Sequence, residues 1–155
     1  MWNEDYKDML SSLQSEGVEF LLVGAFAMAA HGYPRATGDI DLWVFPSPGN
    51  SEKLMRALSR FGAPVSQIRR EDFENDDTIF QIGVPPRRID ILTGISGVSF
   101  GQARDSAVEM TIDGVPLKVL SIELLIMNKR ATGRPRDLDD ANRLETLLST
   151  DRKTY

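Results

Sequence analysis

Three aspartates carry the chemistry that this 155-residue chain offers. Asp39 and Asp41 alternate with Ile40 and Leu42, and Asp90 stands between Ile89 and Ile91. Alternation of acid and apolar residue is a strand pattern, and on a strand residues i and i+2 share a face, about 6.5 Å apart. Two carboxylates so placed repel each other. One reading is a solvated sheet face, the ordinary place for acids. The other is a divalent cation between them, because Mg2+ is held by a few carboxylates together with phosphate oxygens. If the strand of Asp90 lies beside the first, three carboxylates meet on one face. Three acids at a sheet end can hold two metals about 3.5–4 Å apart, an arrangement that clamps the attacking and leaving oxygens of a phosphoryl transfer. A third acid is also the natural base for an acceptor hydroxyl.

Other residues fit around these acids. Val23-Gly24-Ala25 is a strand-to-helix turn, where glycine lets a phosphate approach the free amides of a helix start; most such glycines simply make a turn. Lys129 projects from the apolar stripe of Ile122, Leu125 and Ile126, so it needs an anionic partner or a route to solvent. A nucleotide phosphate and Asp137 are both candidates. Arg130, Arg134 and Arg136 make the same stretch basic. Arg88, two residues before Asp90 and on its face, is placed to reach the acids, whereas Arg69, Arg70 and Arg87 read as surface. Trp43 shares the face of Asp39 and Asp41 and is expected to pack against the sheet. His31, the one histidine, reads as a cap or packing residue at a helix end and cannot build a histidine-rich metal site.

Periodicity and turn chemistry give the scaffold on which these residues sit. Residues 3–16 read as a helix, with Asn3 as cap, Tyr6, Met9, Leu10 and Leu13 on one face, and Gly17 at its end. A buried strand over 18–23 leads through Gly24 into a short helix over 25–30. A loop over 33–38 precedes a strand over 39–45. A helix over 50–61, capped by Asn50 or Ser51, is followed by an acidic loop over 71–77. Strands over 78–84 and 87–92 join at Pro85-Pro86. A second hairpin, 108–112 with 115–120, turns at Asp113-Gly114, and Pro116 places its second strand at or near an edge. Helices over 121–131 and from Asp137 to about Leu148 close the chain. The expected class is α+β: one domain over 1–155, a mixed β-sheet flanked by helices.

Composition narrows the function classes. There are 23 acids against 18 bases, a net charge of −5, which argues against a surface built wholly to grip nucleic acid. Arginines outnumber lysines 13 to 5, which suits bidentate recognition of phosphate or carboxylate. No cysteine is present, excluding disulfides and thiolate metal sites and fitting a cytoplasmic protein. The acidic start of the chain is not expected to be a signal peptide, and the longest apolar run, 20–30, is too short to span a membrane. Walker A, Gly-x-Gly-x-x-Gly and Gly-x-Ser-x-Gly patterns are lacking, which disfavours P-loop, Rossmann and serine hydrolase readings.

In combination, Val23-Gly24-Ala25, then thirteen residues, then Asp39-Ile40-Asp41-Leu42, then Ile89-Asp90-Ile91, resembles the signature of the DNA polymerase β-like nucleotidyltransferase superfamily. The stretch 23–42 looks like its minimal bacterial branch, which includes AbiEii-type toxins and small stand-alone proteins. Asn128-Lys129-Arg130-Ala131 with Arg136-Asp137-Leu138-Asp139-Asp140 resembles the Lys and Arg-Lys-Asp-x-x-Asp segment closing that domain. The likeness covers about 18–148. It implies a polymerase β-like fold, an NTP substrate and two Mg2+, for which Mn2+ could substitute. Asp39 and Asp41 would bridge both metals, with Asp90 on the one nearer the acceptor. Gly24, Ala25, Arg35, Thr37, Lys129 and Asp137 would serve the nucleotide. Two departures stand out: Ala25 replaces the usual Gly or Ser, which removes a hydroxyl but keeps the amide, and the further helical region of many AbiEii-type toxins is missing.

The expectation is therefore a Mg2+-dependent nucleotidyltransferase that moves an NMP from an NTP to a hydroxyl of an RNA such as a tRNA end, a protein or a small molecule, in a toxin–antitoxin or resistance setting. A cognate toxin or antitoxin partner and self-association are left open; a membrane partner is not expected. The alternative is a catalytically silent nucleotide-binding or antitoxin module of the same fold. A plain structural or metal-binding domain would apply only if the acids fell on different faces.

Overall fold

The computed structural model describes residues 2–33 and 38–153. Helix α1 (Glu4–Ser15) starts where Asn3 accepts a 2.8 Å hydrogen bond from the Tyr6 amide, and it buries Tyr6, Met9, Leu10 and Leu13. Strand β1 (Phe20–Val23) is buried at every position and runs directly into α2 (Gly24–Ala30). Strand β2 (Ile40–Val44) has Ile40, Leu42 and Val44 on one face, all fully buried, and Asp41 and Trp43 on the other.

Helix α3 (Pro48–Phe61) begins two residues earlier than its apolar spacing predicts. Ser47 caps it and Pro48 opens it, a pairing that suits the first helical turn. Asn50, expected as the cap, is buried and does another job. Its side chain accepts from the Glu19 amide at 2.8 Å and donates to the carbonyls of Glu19 at 3.0 Å and Phe45 at 2.9 Å. It thereby ties the start of β1 to the end of β2. The expected acidic loop contains a short 3-10 turn, Arg70–Phe73, anchored by the fully buried Phe73 ring against Phe80.

Strands β3 (Ile79–Ile82) and β4 (Ile89–Leu92) form the expected hairpin, as do β5 (Val108–Ile112) and β6 (Val115–Val119). Helix α4 (Phe100–Ser106), absent from the elements that periodicity predicts, stands between β4 and β5. Seven residues with only Phe100 and Ala103 buried are too few to show a 3.6 period. Its signal is the capping box, in which Ser99 accepts from the Gln102 amide and Gln102 accepts from the Ser99 amide. Helices α5 (Ile122–Thr132) and α6 (Pro135–Lys153) pack together. Helix α6 starts at Pro135, so Asp137 lies in its first turn rather than capping it.

All six strands form one mixed sheet in the order β3-β4-β2-β1-β6-β5, an α+β architecture. β1 pairs antiparallel with β2, β2 parallel with β4, and β1 parallel with β6. The edge strand is β5 and β6 lies next to it, near the edge as Pro116 leads one to expect. The register Leu22↔Val119 puts Pro116 level with Glu19, before β1 begins, so its missing amide costs no ladder bond to β1. Among the described residues no helix is long and apolar enough to cross a membrane.

Candidate functional site

Strand pairing brings the predicted acids together. Asp41 on β2 and Asp90 on β4 are register partners on adjacent parallel strands, so both side chains leave the same face. Their carboxyl groups hydrogen-bond to each other, and Asp39 adds its charge from two residues away. On the other side of β2, Asp41 pairs with Val23 at the end of β1, which brings the turn into α2 against it. Gly24 is required there twice over. Its φ is +70°, and a Cβ at that position would lie 2.2 Å from Asp41 Oδ2. One row across three strands thus holds Val23, Asp41 and Asp90, with Gly24 next to Val23 at the start of α2.

Electrostatics record the crowding. The Asp41 carboxyl is pushed up to about 7 by burial first, then by the charge and hydrogen bond of Asp90 and the charge of Asp39, with Arg88 pulling the other way. Arg88 is the basic partner of the cluster. Its Nε lies 2.8 Å from Asp90 Oδ1, and one terminal nitrogen lies 3.2 Å from Asp90 Oδ2 and 3.3 Å from Asp39 Oδ2. Its backbone amide also donates to Asp39 Oδ1 at 3.4 Å. Tyr6, expected only in the core, donates its hydroxyl to the Arg88 carbonyl at 3.3 Å. Burial and the nearby charge of Asp39 push that phenol up to about 12, with smaller contributions from Asp41 and Asp90. At the level of sequence, the place of Tyr6 in the apolar stripe of α1 accounts for it fully, so nothing there signals the hydroxyl's role.

Could these acids hold a metal? As they stand, no three Asp, Glu, His or Cys side chains among the described residues form a metal-binding group. Arg88 instead grips both oxygens of Asp90 and one of Asp39. The donor set nevertheless fits a hard divalent cation. It is entirely carboxylate oxygen, it is gathered on one face, and Asp41 is raised by burial first and then by the neighbouring Asp90 and Asp39. Asp39, Asp41 and Asp90 are the residues that could hold such an ion.

A second charged cluster lies where α5 meets α6. Lys129, 16 % exposed at its side chain, places Nζ 3.3 Å from Asp137 Oδ1 and 3.5 Å from Asp140 Oδ2. Asp137 also accepts from Thr132 at 2.7 Å and pairs with Arg134 at 2.8 Å. Burial pushes its carboxyl up, but Thr132, Lys129 and Arg134 together outweigh that and hold it below the usual carboxylate range. Of the two partners expected for Lys129, the structure thus displays Asp137, with Asp140 beside it. Helix α2 packs against α5, and its first residue, Gly24, borders Asp41.

The remaining expectations divide. His31 ends α2 and its Nε2 lies 2.8 Å from the Leu120 carbonyl, a packing role that ties α2 to the end of β6. Trp43 is 1 % exposed and stacks edge-on against Phe100 at 5.0 Å, as packing requires. Ala25 is the second residue of α2, and no side chain caps that helix start. The nucleotide roles expected of Arg35 and Thr37 lie outside the described residues. A cavity of about 510 Å³ lines the β5–β6 hairpin at Glu109, Met110 and Lys118, without any of the three aspartates, so the hollow and the chemistry do not coincide.

Comparison with known proteins gives a family and a fold. The model of a family described as nucleotidyl transferase of unknown function (DUF2204) matches residues 2–154. No functionally curated protein matches the sequence. Among solved structures, TM1012 of Thermotoga maritima, a candidate nucleotidyltransferase, is 15 % identical with a TM-score of 0.54, over 93 % of this chain and 90 % of its own. The antibiotic-resistance factor ANT(2'')-Ia is 16 % identical with a TM-score of 0.56, over 97 % of this chain and 91 % of its own. At such identities the likeness is one of fold.

Proposed function

Because the chain belongs to the nucleotidyl transferase family matched over residues 2–154, we propose that it moves an NMP from an NTP onto an acceptor hydroxyl at the Asp39, Asp41 and Asp90 cluster. The observation that carries this reading is the pairing of Asp41 with Asp90 across β2 and β4, with Gly24 pressed against Asp41. Asp39 and Asp41 hold the metal side of the site, and Asp90 takes the acceptor proton as its oxygen attacks the α-phosphorus. The bond to the β-phosphate bridging oxygen then breaks, and pyrophosphate leaves. Two Mg2+, or Mn2+ in their place, would supply charge neutralisation and orientation of the triphosphate when bound.

Gly24 and Ala25 offer the uncapped amides of α2 to phosphate oxygens. Lys129, steadied by Asp137, lends positive charge from α5, and Arg35 and Thr37 also serve the nucleotide. The acceptor is a hydroxyl on an RNA 3′ end, a protein or a small molecule, and the net charge of −5 weighs against extensive RNA contact. A toxin–antitoxin or resistance setting, a cognate partner and a cytoplasmic location belong to this same proposal, as does a single domain over 1–155.

The test is incubation with NTPs labelled at the α-phosphate, Mg2+ or Mn2+ and acceptors of each class. Label should move to an acceptor with release of unlabelled pyrophosphate. Absence of transfer from every NTP by folded protein would refute the reading. One observation favours a second reading, a silent nucleotide-binding or partner module: Arg88 already satisfies Asp90 and Asp39 from within. That module would bind NTP with an affinity indifferent to Mg2+, which calorimetry resolves.

A further inference from the structure

We propose that Arg88 is a positioning residue that holds the acid cluster in the place of a cation and, once a cation is bound, swings out to the substrate's phosphates. This inference rests on the metal-dependent transfer proposed above and names a residue that governs entry to the site.

Three features carry it. The first is the bridge itself. A single guanidinium spans Asp90 on β4, through both carboxylate oxygens, and Asp39 just before β2, so it joins acids from two neighbouring segments as a metal ion would. The second is the way Arg88 is mounted. Its amide donates to Asp39, and its carbonyl accepts from the Ile40 amide at 3.0 Å and the Tyr6 hydroxyl at 3.3 Å. The backbone is therefore pinned from both sides while the side chain, 27 % exposed, can turn about its own bonds. The third is charge. Among the described residues three carboxylates face the Arg88 guanidinium, and a dication carries twice its charge, so it gains more attraction from the same oxygens. A guanidinium and a dication within a few ångströms repel, so the two occupancies exclude each other.

The two cations therefore exchange. In the metal-free protein Arg88 offsets repulsion among the acids and keeps them gathered. When a divalent cation takes their oxygens, Arg88 gives them up and its guanidinium is released at the mouth of the site. The planar fork that bound a carboxylate at two points is equally suited to a phosphate. Arg88 thus supplies a positive contact to the triphosphate only after the metal position is filled, which orders the two binding events.

The experiment uses the full chain and its Arg88→Gln and Arg88→Lys variants. Mn2+ binding is followed by electron paramagnetic resonance without nucleotide, melting is recorded with EDTA and with Mn2+, and binding of a non-hydrolysable NTP analogue is measured with Mn2+. Arg88→Gln should bind Mn2+ about tenfold more tightly than the unaltered chain, because the Arg88 guanidinium no longer competes. It should melt lower in EDTA, close that gap in Mn2+, and bind the analogue about tenfold more weakly in Mn2+. Arg88→Lys, which keeps charge without the fork, should fall between on each measure and stands alone if the glutamine variant does not fold. Equal Mn2+ affinity in the unaltered chain and the variants would overturn the role of Arg88 while leaving the metal-dependent reading intact. Failure of every protein to bind Mn2+ would overturn both.

Discussion

Asp41 and Asp90 occupy paired positions on adjacent parallel strands and share a hydrogen bond between their carboxyl groups. Two acids in contact share a proton or a cation, and the structure shows the strain of having neither in full. Asp41 is pushed up to about 7 from an ordinary 3.8.

That shift has a consequence for stability. The folded protein takes up a proton on Asp41 between about pH 4 and 7 that the unfolded chain does not hold. Stability from this group is therefore fully present below the ordinary carboxylate range and is lost as pH rises through about 7. Urea unfolding in EDTA should show the unfolding free energy falling from pH 5 to pH 8, by about a few kcal/mol at most. Asp137, held low by Thr132, Lys129 and Arg134, acts in the opposite sense and only at more acidic pH.

Asp41→Asn should abolish nucleotidyl transfer while raising the stability of the metal-free protein at pH 8, because it relieves repulsion by Asp90 and Asp39. It should also flatten the fall in stability between pH 5 and pH 8. Turnover assays and urea midpoints on the same preparation check both halves, and transfer at the unaltered rate would refute the role of Asp41.

Gly24→Ala places a methyl 2.2 Å from Asp41 Oδ2 at a φ of +70°. The expected result is a loss of about 1–3 kcal/mol together with a displaced carboxylate. Melting temperature and Mg2+-dependent NTP binding should fall together, whereas Gly62→Ala, at a left-handed helix end with open space around it, should lower only the first.

Lys129→Ala removes the ammonium from beside Asp137 and the deeply buried Asp140. A loss of about 3–5 kcal/mol is expected, the cost of breaking a buried ion pair from one side. NTP affinity, measured where the variant is still folded, should also weaken. An unchanged nucleotide Kd with the stability loss alone would assign Lys129 to the α5–α6 junction only.

Asn50→Ala should cost about 2–4 kcal/mol by leaving the Glu19 and Phe45 backbone groups without their partner, with transfer activity unchanged in the folded fraction. This variant separates stability from chemistry.

Local patterns make much of this molecule readable. The period of α1, the Asp113-Gly114 turn and the alternation around Asp39 and Asp41 each depend on residues close in the chain. Local pattern does not reveal pairing between distant segments. The sheet order β3-β4-β2-β1-β6-β5 sets Asp41 beside Asp90, places β6 between β1 and β5 and leaves β5 at the edge. Nothing near Pro116 specifies the partner on its other side. Helix α4 is too short for its period to show, and Asn50 reads as a cap because its partners, Glu19 and Phe45, lie outside its own helix. Spacing from Asp90 places Arg88 near the acids, but its bridge to Asp39 depends on the β2–β4 pairing.

Nucleotidyl transfer is proposed for Asp39 together with the strand partners Asp41 and Asp90. Its most direct test is pyrophosphate release and α-phosphate transfer from NTPs in Mg2+, compared between the unaltered chain and Asp41→Asn with Asp90→Asn. Transfer by the first that disappears in EDTA and in both variants is the predicted result. Transfer that persists in either folded variant, or none from any NTP by the unaltered chain, would contradict it.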